Sequence, residues 1–316
     1  MTWNPQFDGW SATVKAGDID VEHTRTHEWT FRRTTREWDL SIPVSTYEYC
    51  SKRHRVQEYG TYISDPVQRS LLEPLCDRFK RFADKKRLSD RSLLRAIVRF
   101  IQSFPYILAS EDTGHRTYPK YPAEMFIHGQ GDCEDGTILL GSVLDILDYD
   151  VAVIMFPAAQ HMLLGVALEE AAGSYIEYNG VRYYTIETTD IGWDVGDLPP
   201  KYRQTGADIQ LPNQAPVLVH EWKAVPATDG VVDITTQLAN VGPAEAGSLT
   251  VQIEFKTRNQ DIVAGDRLNP RGESLTPGSS SQYESRLSLP TDRELQGQMT
   301  IGIDGKVHDR SESEWH

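Results

Sequence analysis

Cysteine is scarce in this chain. Of 316 residues only Cys50, Cys76 and Cys133 carry a thiol. A set so sparse and odd in number excludes the disulfide framework of small secreted domains and fits a reducing compartment. No CxxC pair and no HExxH string occurs, so a structural zinc site has no ligand set to draw on. Long apolar runs are also missing: nothing approaches the roughly 20 residues that cross a bilayer, and Met1-Thr2-Trp3-Asn4-Pro5 holds no apolar signal core. Basic residues are in deficit, 32 Lys and Arg against 46 Asp and Glu, for a net charge of −14. Phosphate backbones and anionic lipid are bound by clustered Lys and Arg, so neither nucleic acid nor membrane is an expected partner. The expected location is the cytoplasm, and such acidity would suit the high-salt cytoplasm of a halophilic archaeon. No internal repeat is visible.

What is present is enough apolar residue, 39%, for real cores, on a length that allows two domains. Residues 1–60 read as a β-rich segment. His27–Arg32 and Trp38–Ile42 flank the polar stretch Arg33–Glu37 as a hairpin. Asp65-Pro66 opens a helix whose apolar face runs through Leu71, Leu72, Leu75, Phe79 and Phe82, with Pro74 expected to kink or break it. Cys76 within it reads as a small core residue. A second helix starts near Ser89-Asp90 and stops at Pro105. After Asp148, the strands Val151–Phe156, His161–Leu168 and Val181–Thr189 follow. Residues 61–200 thus form an α+β core in which a helix packs on an antiparallel sheet. Residues 201–216 read as a linker. Residues 217–308 hold five short strands with turn signals at Asn240-Val241-Gly242-Pro243 and Asn269-Pro270-Arg271-Gly272, an immunoglobulin-like β-sandwich pattern. Residues 309–316 read as a frayed tail.

The chemistry centres on Gly129-Gln130-Gly131-Asp132-Cys133-Glu134-Asp135-Gly136. A glycine-rich approach brings one cysteine to a helix start, where free N–H groups and the macrodipole favour a thiolate. Asp132 is placed to cap that helix, and Glu134 and Asp135 to support its first turn. A metal cage of His128, Asp132, Glu134 and Asp135 has no known ligand spacing, and no cofactor is implied. His161 opens the second strand after the cysteine helix and Glu187 lies on the third, with Asp190 as the nearest substitute. If those strands pair, the three residues can serve as nucleophile, base and orienting acid for acyl transfer. The Cys133 N–H is a natural oxyanion donor, with Gln102 and Gln130 competing to supply the second.

Gly131-Asp132-Cys133-Glu134-Asp135, then His161 opening an apolar strand, then Tyr183–Thr189 resemble the core of the transglutaminase-like superfamily. The likeness is strongest to its archaeal and bacterial proteins related to cysteine proteinases. Phe100–Tyr106 and Tyr118–Pro122 match upstream features of that group. The resemblance spans about residues 40–200 and implies a papain-like fold with Cys133 as nucleophile, His161 as base and then acid, and Glu187 as orienter. It favours Gln102 over Gln130. The superfamily usually carries Asp in an Asp-Pro-Thr-like string where this chain has Glu187-Thr188-Thr189. The expected activity is peptidase, amidase or transglutaminase-type acyl transfer on a protein or peptide amide. The alternative is a catalytically silent cleft that binds peptide. In either case the β-sandwich is available to a protein partner.

Overall fold

In a computed structural model of the chain, the described residues are 22–169, 171–203, 205–228, 230–269 and 272–316. The absent signal core at Met1–Pro5, the first part of the 1–60 segment and the Pro270-Arg271 half of one expected turn lie outside them. The described residues divide into a larger unit, 22–51 with 57–215, and a smaller one, 52–56 with 216–316.

The larger unit begins with a hairpin, Glu22–Phe31 against Thr34–Pro43, with His27 opposite Trp38. Arg32 and Arg33 both have positive φ. That is the backbone a two-residue I′ connection needs, and it matches the strand twist. The turn is therefore tighter than the polar stretch Arg33–Glu37 suggested. Trp29 and Trp38 stack edge-on against each other, and both pack on Phe79 and Phe100. The β-rich reading of residues 1–60 needs correction at its end, where Val44–Lys52 and Gly60–Ile63 are helical. The helix opened by Asp65 runs unbroken from Pro66 to Lys86. Pro74 deletes only one backbone bond, and the buried face of Leu72, Leu75, Cys76 and Phe79 holds the helix on both sides of it. A second long helix, Asp90–Ile101, follows.

Behind these lies a five-stranded antiparallel sheet. Its spatial order is Tyr175–Tyr178, Val181–Ile186, His161–Ala167, Val151–Phe156, Asp208–Gln210. Successive strand residues face opposite ways. Ala152, Ile154, Phe156 and Leu163 meet Leu198 and Tyr202 on one face. The helix Cys133–Ile146 lies against the two central strands. The stretch 201–216, which reads as a linker, contributes the sheet's last strand and two short turns of 3₁₀-helix. Its apolar residues Ile209 and Leu211 join the core, which is why the polar composition around them misleads.

The smaller unit is a seven-stranded sandwich. One sheet orders Ile262–Arg267, Leu249–Lys256, Gln296–Ile303, Lys306–Trp315; the other orders Ser280–Ser288, Val231–Asn240, Leu218–Thr228. Leu218, Ile234 and Leu238 of one sheet and Leu249, Val251, Ile253, Met299 and Ile301 of the other make a common core. The sequence reading misses two strands, and one of them, Lys306–Trp315, takes up the tail expected to fray. Its charged residues alternate with partly buried ones, the pattern of an edge strand.

Among the described residues there are fourteen strands in four sheets. The smaller unit is built of strands and the larger carries helices beside its two sheets, and no papain-like or transglutaminase-like core is indicated. That fold assignment is replaced by a strand-rich chain ending in an immunoglobulin-like β-sandwich. No helix of the described residues is long and apolar enough to cross a membrane.

A buried polar seam closes the sandwich between its two sheets. His220 Nδ1 lies 3.1 Å from Asp309 Oδ2, and His220 Nε2 lies 2.7 Å from Ser311 Oγ. The Trp222 indole donates to the same Ser311 oxygen at 2.9 Å, and Arg53 stands 3.8 Å from Asp309. Burial opposes the charge of Asp309, but His220 and Arg53 outweigh it and hold the carboxyl well below its usual range. A carboxyl depressed in the folded state stabilises above its unfolded pKa of about 3.9 and loses that contribution as the pH falls below it. Asp309→Asn should therefore cost about 3 kcal/mol at pH 7. The gap to the parent protein, read from urea midpoints, should narrow on going to pH 3. A gap that does not change with pH would contradict this account of the seam.

Candidate active site

The cysteine helix starts where three local interactions converge. Asp132 caps it, accepting from the N–H groups of Glu134 (2.9 Å) and Asp135 (3.3 Å), while Asp135 Oδ2 accepts from the Asp132 N–H at 3.1 Å. This is a reciprocal capping box. Asp135 also accepts from the Lys120 N–H at 2.7 Å and faces its ammonium at 3.1 Å. Lys120, only 1% exposed, reaches Asp112 at 2.6 Å and the Gln130 carbonyl at 3.2 Å. A buried lysine thus ties the glycine-rich approach to the helix it feeds. Glu134 is not part of that cage; its Oε1 accepts from Tyr59 Oη at 3.0 Å.

Two glycines explain the spacing. Gly129 ends the helix Pro122–His128 in a left-handed conformation, where a Cβ would also strike the Arg25 guanidinium. Gly136 lets Thr188 approach, since a Cβ there would stand 2.9 Å from Thr188 Oγ1. That contact holds the residues following Glu187 against the first turn of the cysteine helix.

Glu187 sits just past the end of its strand, which stops at Ile186, and is 2% exposed. Its Oε2 meets His161 Nε2 at 2.8 Å. Its Oε1 accepts from the Thr188 N–H (2.9 Å), the Thr189 N–H (3.1 Å) and Thr189 Oγ1 (2.8 Å). Burial works against its charge, but the bonds from His161 and Thr189 outweigh burial and hold the carboxyl below the usual range. An ionised carboxylate only accepts, so His161 carries its proton on Nε2 and keeps Nδ1 as the free base. Asp190, the alternative acid, turns instead to the Ile191 N–H.

Cys133 is 8% exposed, and the N–H of Met162, the residue after His161, faces its sulfur. Among the described residues no hydrogen bond joins the sulfur to the His161 ring. Burial, with the negative charges of Asp132, Glu134 and Glu187, pushes the thiol up to about 12, while the Met162 N–H pulls the other way. The thiolate expected from the helix start is therefore not the resting form: three carboxylates and loss of water outweigh the helix end. Cys76, also in the core, is pushed to about 12, again chiefly by burial.

The proposed oxyanion donors are both engaged elsewhere. Gln102 gives its two amide protons to the carbonyls of Glu187 (2.8 Å) and Trp193 (2.9 Å), so it clamps the acid's loop. Gln130 donates to Asp112 at 2.7 Å. His128 faces Asp112 and Tyr47 rather than the capping carboxylates. Among the described residues no group of three His, Cys, Asp or Glu side chains is arranged to hold a metal ion.

Sequence reasoning overlooks two aromatic residues. Tyr106, 48% exposed, is pinned beside Gly131 by bonds from Gly131 N–H to the Pro105 carbonyl (3.1 Å) and from Ile107 N–H to the Gly131 carbonyl (3.0 Å). Its phenol is pushed up to about 12 chiefly by burial, with the Asp132 and Glu187 carboxylates adding to it, so it stands within the field of both the helix start and the acid. Tyr202 lies flat on the His161 ring, with centroids 4.4 Å apart and planes 7° from parallel. Tyr106 was visible only as the residue after Pro105, and Tyr202 was hidden in the supposed linker.

No family model matches the chain, and no curated protein matches it. Solved structures give partial likenesses. The CARDB domain of the PF1109 protein from Pyrococcus furiosus, solved in complex with di-metal ions, is 16% identical over 30% of this chain and 76% of that one, with a TM-score of 0.23. The putative ApaA protein from Bordetella pertussis is 17% identical over 33% of this chain and 93% of that one, at 0.24. A DUF3823 family protein from Bacteroides ovatus is 11% identical over 53% of this chain and 87% of that one, at 0.25. Each likeness is partial, with a TM-score of 0.25 or below, and carries no activity with it. None of these three is a transglutaminase-like protein and no family model of that kind matches, so the chain is not assigned to the transglutaminase-like superfamily.

Proposed function

We propose that this chain performs cysteine-dependent acyl transfer on an amide carbonyl, with Cys133 as nucleophile, His161 as base and Glu187 as orienter. The observation that carries this reading is the 2.8 Å bond between His161 and a buried, charged Glu187, made one residue from the Met162 N–H that faces the cysteine sulfur. The base is fixed in the tautomer whose free nitrogen can take a proton. Because the thiol is raised, attack and proton transfer are coupled: the sulfur bonds to the carbonyl carbon as its proton passes to His161 Nδ1. The imidazolium then protonates the leaving amine, the C–N bond breaks, and a thioester remains on Cys133. Water, deprotonated by His161, resolves it and restores the thiol. A substrate amine in place of water would give cross-linking; hydrolysis is the reading we prefer. The Cys133 N–H is the first oxyanion donor.

The substrate class is a protein or peptide, the β-sandwich is available to a protein partner, and the sparse, odd number of cysteines fits a cytoplasmic setting. One observation favours a second reading, a silent cleft that only binds peptide: the thiol raised to about 12. Hydrolysis of p-nitrophenyl acetate separates the two. The parent protein should show turnover, and Cys133→Ala should lower it by at least about 10³-fold. Undiminished turnover in that variant would falsify the scheme. Glu187→Gln keeps the shape but removes the charge that stabilises imidazolium, and should cost about 10²-fold or more in kcat. Glu134→Gln removes a negative charge beside the sulfur while leaving an acceptor for Tyr59. It should therefore make Cys133 more acidic and speed its alkylation by iodoacetamide at pH 8 by about threefold or more.

A further inference from the structure

The proposed chemistry leaves one face of His161 unexplained, and that face is covered. The ring of Tyr202 is 4% exposed and nearly parallel to the imidazole at 4.4 Å. It also stacks, at 5.2 Å and 15°, on Phe156, the cross-strand neighbour of His161. A single phenol therefore lies over both members of the pair that ends this part of the sheet. Pro200 sets the short turn that carries it, and the Tyr202 N–H bonds to the Pro199 carbonyl at 3.0 Å.

Resting on the acyl-transfer reading, we infer that Tyr202 is the positioning residue for His161, holding the imidazole plane along the Glu187 bond and stabilising the imidazolium that forms when Cys133 gives up its proton. A bond from Glu187 fixes one ring atom but leaves rotation about that bond. A parallel ring against the imidazole face removes it. The face of a phenol is also negative, so it attracts the cationic ring more than the neutral one. Such attraction acts when the proton arrives, where it counts toward the barrier. Among the described residues, the charged and titratable groups around the imidazole are Glu187, bonded to it; Cys133, whose sulfur faces the Met162 N–H; Tyr106, in the field of Glu187; and Lys201, whose ammonium stands 4.6 Å from the Tyr202 centroid. Of these only the Tyr202 ring stacks on the imidazole.

The test reads the base through the thiol and needs no natural substrate. The rate of Cys133 alkylation by iodoacetamide is followed from pH 5 to pH 9 in the full-length parent, Tyr202→Phe and Tyr202→Leu. In the parent the rate should rise with pH through an inflection that His161→Ala abolishes. Leucine keeps the site covered but removes the π face. It should lower the rate on the plateau by about tenfold and shift the inflection down by about half a pH unit. Phenylalanine should restore both. Circular dichroism melting monitors folding of every variant, and Tyr202→Phe retains the readout should leucine unfold the unit. If the parent inflection is present and Tyr202→Leu leaves rate and inflection unchanged, the inference is overturned while the acyl-transfer reading stands. If His161→Ala leaves the parent inflection in place, the acyl-transfer reading itself fails.

Discussion

Glu187 is a carboxylate almost shut off from water that stays charged because four donors meet it: the His161 ring, two backbone N–H groups and the Thr189 hydroxyl. Remove that charge and the arrangement around it loses its reason. His161 would have nothing to fix its tautomer, and the loop 187–193, drawn in by Gln102 and by Arg99, would lose its anchor. Desolvating a carboxylate is expensive, and at Glu187 four donors offset that cost. The buried acid, the histidine it holds and the Met162 N–H that faces the Cys133 sulfur are the geometry on which the proposed chemistry rests.

The cysteine end is built on the same terms with the opposite balance. Asp132, Glu134 and Asp135 crowd the helix start against a single buried ammonium, Lys120. Burial raises the thiol first, and the charges of Asp132, Glu134 and Glu187 raise it further. Burial and like charge outweigh the helix end here, which is at most a few tenths to about 1 kcal/mol at an exposed site. Under the proposed function a thiol of this kind would depend on its base, so the orientation of His161 would matter more than it would beside a preformed thiolate. The Glu187 bond and the Tyr202 stack both act on that orientation.

Sequence patterns were informative where one local rule governs. Asp65-Pro66 marked a helix start, short apolar or β-forming runs between turn signals marked most strands, and Asp132 was legible as a cap. They misled where tertiary contacts override composition. Pro74 passes through a helix because packing on both sides holds it, and residues 201–216 look like a linker although Ile209, Leu211 and Tyr202 are core. The edge strand Lys306–Trp315 is charged enough to look frayed. At the site, Cys133, His161 and Glu187 could be named from residue type and order, whereas Lys120 and Tyr202 could not. A lone lysine between prolines and a tyrosine in a polar stretch carry no pattern until the chain is folded. Gln102 was noticed for the wrong reason: its amide protons serve the acid's loop, not an oxyanion. The family resemblance rested on short strings around three residues, too few to specify how the remaining strands are arranged.

The central claim is that Cys133 becomes acylated with His161 as its base. Mass spectrometry of the protein quenched in acid after brief exposure to p-nitrophenyl acetate tests it most directly. The account predicts one acetyl group on the peptide containing Cys133, absent in His161→Ala and not found on Cys50 or Cys76. Acetylation spread evenly over the three cysteines, or equal on Cys133 with and without His161, would contradict it.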